Sequence, residues 1–122
     1  MNVEKVVRKS YYLSKEAYNL LKNGKKKYGV SMAEAARSSI VAMYRYPSAV
    51  KNLNYICVNE HYFCFSESEA GEFLLLDELH TYYNKKAPKR FLPRKTNSVY
   101  SRNLILDFAI KRYYKNLSCI II

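Results

Sequence analysis

At 122 residues and 49% hydrophobic content, the chain has room for one compact domain or two small modules sharing a core, and wholesale disorder is excluded. Twenty-one Lys and Arg against ten acids give a net charge of +11, which favours polyanions: nucleic acid or an anionic membrane. Three cysteines without a CxxC pair do not make a secreted disulfide scaffold, and no run approaches the roughly 18 apolar residues of a membrane span. With no signal-peptide pattern at Met1–Lys5, the expected location is intracellular, in cytoplasm or nucleoid.

Val6-Val7-Arg8-Lys9-Ser10-Tyr11-Tyr12-Leu13 is rich in β-branched and aromatic residues, lacks Gly and Pro, and reads as a short strand. Ser14 then caps a helix beginning Lys15-Glu16-Ala17. Ala17, Leu21 and Tyr28 share its inner face, while Lys22, Lys25 and Lys26 point outward. Gly29 closes it, and Gly24 inside it costs up to about 1 kcal/mol of helix propensity. Ser31-Met32-Ala33-Glu34 is a capping box for a second helix, about Met32 to Arg45. Ala35, Ala36, Ser39, Ile40 and Met43 line its inner side, and Pro47 stops it.

The second half repeats this order. Tyr55 to Phe65 is a second strand candidate. After Ser66, the acids Glu67, Glu69 and Glu72 suit a helix N-terminus, and that helix carries Ala70, Phe73, Leu76 and Leu79 to about Asn84. A basic loop, Lys85 to Thr96, leads to a last helix from about Ser98 to Asn116, with Leu104, Ile105, Phe108, Ala109 and Tyr113 apolar. Phe65-Ser66 lies 52 residues after Leu13-Ser14, and Phe73 lies 52 after Leu21, which suggests a repeat. The expected class is mostly α with a short antiparallel β ribbon, β-α-α repeated. Its parts are residues 1–46, a linker 47–54, a degenerate copy 55–117 with a basic loop insertion, and an apolar tail 118–122.

From Val6 to Tyr44 the spacing resembles the ribbon-helix-helix (MetJ/Arc-type) family of DNA-binding regulators. The residues concerned are the alternating strand ending Leu13-Ser14, then Leu21, the turn Tyr28-Gly29-Val30-Ser31, Glu34 and Arg37. Ser14 stands where the family usually has Pro, and Gly24 where it has Leu or Ala. The whole chain also looks like tandem members, some encoded by archaeal viruses or plasmids. The resemblance implies a two-stranded ribbon seated in the major groove of double-stranded DNA. Anchoring Leu13 inward turns Tyr11, Lys9 and Val7 to the core and Arg8, Ser10 and Tyr12 to the bases. In the second strand the same register presents Glu60, Tyr62 and Cys64, and Tyr62 joins the base-contacting set. If both strands belong to one chain, the reading surface is asymmetric and the target need not be palindromic. If each half pairs with another chain, palindromic half-sites return.

Ser31 and Met32, at the start of the second helix, are expected to hold a phosphate, and the loop cations Lys85, Lys86, Lys89, Arg90, Arg94 and Lys95 to follow the backbone. Each basic group also reads as ordinary solvated charge, Lys25 to Lys27 above all. Cys57, His61, Cys64 and His80 match no standard zinc spacing, and strand alternation separates Cys64 from Cys57 and His61. Asp77 with His80, or the Glu67-Glu69-Glu72 group, lacks an accompanying nucleophile or phosphate loop, so neither enzyme nor cofactor is expected. The tail Leu117 to Ile122 is apolar and suits burial as an added strand, or self-association. The expected function is a sequence-specific transcriptional regulator, repressor or activator being left open by the sequence. An antitoxin or a DNA-coating nucleoid or virion protein are the alternatives. No membrane or small-molecule substrate is expected.

Overall fold

Among the described residues of the computed structural model the elements are β1 (Val6–Leu13), α1 (Lys15–Tyr28), α2 (Met32–Arg45), a 3-10 turn (Val50–Leu53), β2 (His61–Ser68), α3 (Glu72–Lys86) and α4 (Arg102–Ile120). The structure describes residues 6–53, 60–68, 72–86 and 100–120. The molecule is mostly helical, with β1 and β2 forming a two-stranded antiparallel sheet.

Local chemistry sets the first three elements. Ser14 is extended (φ −66°, ψ 159°), and its Oγ accepts from the Ala17 amide at 3.2 Å, satisfying one of the orphan donors of α1. Gly29 ends that helix at φ 70°, donating its amide to the Lys25 carbonyl at 3.1 Å; any side chain there would be strained by the backbone angle itself. Ser31 repeats the device for α2, accepting from Glu34 N at 3.1 Å. That helix finishes at Tyr46, whose amide reaches Ala42 O just before Pro47.

The core lies beneath the ribbon, among the four helices. Leu13, Leu21, Ala36, Ile40, Leu53, Leu76, Ile105, Leu106 and Ile110 are fully buried, each large side chain contributing on the order of 1.5–3 kcal/mol by leaving water. The two central helices, α2 and α4, pack together, while α1 lies on α4 and α3 on α2. The halves are thus interleaved: each first helix leans on the other half's second helix. The burial pattern recurs as well. Buried positions 35, 36, 39 and 40 of α2, with 43, return in α4 at 105, 106, 109 and 110, with half-buried 113. Those at 21 and 24 in α1 return at 76 and 79 in α3.

The second half departs from the sequence reading in several places. The strand expected from Tyr55 to Phe65 runs from His61 to Ser68; residues 54–59, Cys57 among them, lie outside the described part. Ser66 and Glu67 therefore pair with Arg8 and Val7 instead of opening a helix, and α3 begins at Glu72. The polar run is held extended by its partner strand, which local propensity does not report. Lys85 and Lys86 fall in the last turn of α3, not in a loop. The last helix starts at Arg102, with Ser101 Oγ accepting from Leu104 N at 3.1 Å. Residues 118–120, expected in a strand-like tail, continue α4, and 121–122 lie outside the described residues. Ala70 also lies outside them.

Candidate nucleic-acid interface

Alternation along two antiparallel strands divides the ribbon into two faces. On the inner one, Tyr11, Leu13, Phe63 and Phe65 are buried, and His61 stacks on Tyr18 with ring centroids 4.7 Å apart. Lys9 shares this parity, opposite Phe65, yet its side chain is exposed. The outer face carries Arg8, Ser10 and Tyr12 from β1, with Tyr62, Cys64 and Ser66 from β2. Tyr12 is 47% exposed and Tyr62 56%. The four expected base-contacting residues, Arg8, Ser10, Tyr12 and Tyr62, therefore lie together on one solvent-facing surface.

Those side chains are ordered by contacts among themselves. Tyr12 and Tyr62 are direct partners and meet edge to face at 5.6 Å. Ser10 Oγ and the Tyr62 hydroxyl share a 2.7 Å hydrogen bond across the diagonal. Arg8 Nε donates to Cys64 Sγ at 3.0 Å, which steadies the guanidinium. Partial desolvation pushes the Cys64 thiol up, but hydrogen bonds from Ser10, Arg8 and Tyr62 and the charge of Arg8 outweigh this and hold it below the ordinary thiol value.

The helices brace this blade from behind through contacts with no local sequence signal. Asp107 of α4, fully buried, accepts from the Ser14 amide at 2.8 Å and pairs with Lys111 Nζ at 3.0 Å. Asn103 Oδ1 accepts from Tyr12 N at 3.2 Å. From the other side, Arg37 Nη1 of α2 donates to the Ser66 carbonyl at 3.0 Å. Each central helix thus ties the far end of one strand. Tyr11, beneath the ribbon, has its hydroxyl pushed up to about 12 by burial and the nearby Asp77 carboxylate, with Arg102 opposing.

Ser31 is exposed and its hydroxyl accepts the capping bond of α2, while Met32 is half-buried against the core. Ser31 sits roughly 9 Å along the helix from Arg37, the residue tied to β2. Lys85 and Lys86 are exposed, Lys86 lying over the Tyr82 ring at 4.6 Å. Lys89, Arg90, Arg94 and Lys95 lie outside the described residues. His61 and Cys64 point to opposite faces, and among the described residues no three His, Cys, Asp or Glu side chains gather. Asp77 accepts from Arg102 Nε at 2.6 Å, and beside that pair burial and the Arg102 charge pull the His80 imidazole below its usual value, Asp77 opposing. No described helix is long and apolar enough to cross a membrane. Comparison with protein-family models, with curated proteins and with solved structures finds no match.

Proposed function

We propose that this chain is a sequence-specific double-stranded DNA-binding regulator of transcription, a tandem ribbon-helix-helix protein that lays its ribbon in the major groove. The observation that carries this reading is the exposed group Arg8, Ser10, Tyr12 and Tyr62 on a paired blade whose opposite face buries Tyr11, Leu13, Phe63 and Phe65. A two-stranded ribbon fits the width of that groove, and an arginine can donate twice to guanine while hydroxyls adapt to either base. The interleaved β-α-α order and the recurring burial pattern support the tandem form. The burial pattern relates Leu21 to Leu76, whereas the constant spacing relates it to Phe73.

The charge of +11 supports attraction to duplex phosphates, and taken alone it equally favours a coating protein without sequence choice. The ordered, uncharged centre of the outer face favours base reading over coating. The packing of β2, α3 and α4 into the common core weighs against an antitoxin whose second half folds only on its toxin.

In-vitro selection from random duplex at physiological salt tests the proposal. A defined motif is expected, and Arg8→Ala should cost about 1–3 kcal/mol on it while relaxing one base position. An equal loss on selected and random duplex contradicts base reading and favours the coating protein.

A further inference from the structure

Tyr11 and Phe63 pair directly across the ribbon. A local two-fold axis between them exchanges Leu13 with Phe65, both buried, and Ser14 with Ser66, the two residues tied by Asp107 and Arg37. The inner face therefore nearly obeys the symmetry. On the outer face the same operation exchanges Ser10 with Tyr62, Tyr12 with Cys64, and Arg8 with Glu60. Glu60 immediately precedes β2, is exposed, and donates its amide to Leu13 O at 3.0 Å, which holds it against the end of β1. Arg8 and Glu60, about 20 Å apart along the blade, thus carry opposite charges.

We propose that the ribbon binds a non-palindromic stretch of duplex in one orientation, with Arg8 on a guanine at one end and Glu60 on a cytosine amino group at the other. This rests on the reading of the ribbon as a duplex-binding surface. The guanidinium donates only and the carboxylate accepts only. Guanine offers two acceptors in the major groove and cytosine a donor, so reversing the protein on its site sets Glu60 against guanine acceptors and Arg8 against the cytosine donor. Both mismatches leave charged groups unpaired, and symmetry of the inner face cannot restore them.

The decisive experiment is selection from random duplex with the wild-type chain, Arg8→Ala and Glu60→Arg, each first shown to be folded by circular dichroism. Wild type should return a one-sided motif. Arg8→Ala should lose the guanine preference at one position, with about a tenfold or greater fall in affinity for the selected site. Glu60→Arg should acquire a mirrored guanine and move the motif toward a palindrome, with a steeper salt dependence. A palindromic wild-type motif, or a Glu60→Arg motif identical to wild type, overturns this inference and leaves duplex reading standing. Absence of any preferred duplex overturns the duplex-reading proposal itself, and this inference with it.

Discussion

Asp107 is where the smallest chemical change should have the largest consequence. Its carboxylate is fully buried, receives the Ser14 amide, and is paired with Lys111. Asp107→Ala leaves a buried amide without its acceptor and removes the carboxylate from Lys111, a loss of about 3 kcal/mol or more in urea unfolding. Asp107→Asn keeps an acceptor for Ser14 N and should lose clearly less; equal losses would assign the cost to packing. The tyrosines make a second prediction. Tyr11 and Tyr114 are both pushed to about 12, chiefly by burial. A phenol whose folded value exceeds its unfolded value near 10 adds stability fully present below pH 10, and that contribution is lost as pH rises through 12. The melting temperature should fall between pH 10 and 12, less steeply in Tyr114→Phe. An unchanged alkaline slope in that variant would show that Tyr114 does not carry the effect.

Among the elements, α1 shows how one residue sets the packing of a distant helix. Gly24 is buried, and a Cβ added there would come within 3.0 Å of the Tyr114 ring. Its lack of a side chain lets Tyr114 lie against α1, where it also faces Tyr28. Tyr44 of α2, by contrast, is 43% exposed with its hydroxyl bonded to Glu78. Gly24→Ala should therefore destabilise by about 1–3 kcal/mol through overpacking, despite a propensity gain near 1 kcal/mol. Chemical denaturation measures it, and a net stabilisation would mean Tyr114 yields freely. The sequence makes Gly24 a weakness in the helix; only the approach of a ring from a residue ninety positions away explains it. The caps at Ser14, Gly29 and Ser31 were legible because their partners lie within four residues, and Leu13 set the correct face of β1 because alternation is local. The start of β2, the polar extension to Ser68 and the ties from Arg37 and Asp107 were not legible, since each depends on a distant partner.

For the molecule as a whole, interleaving decides how it comes apart. Each half's first helix packs on the other half's second helix, and the only described sheet needs one strand from each half. Neither half alone buries the faces that its helices present, so partial unfolding would expose apolar surface from both at once. One cooperative transition is expected, with far-ultraviolet helix signal and near-ultraviolet tyrosine signal falling together in urea. Because β1 finds β2 within the same chain, the midpoint should not move with protein concentration, unlike that of a dimer whose stability follows mass action. Two separated transitions would contradict the shared core. A midpoint that rises over a hundredfold increase in concentration would instead place the second strand of the ribbon in another copy of the chain.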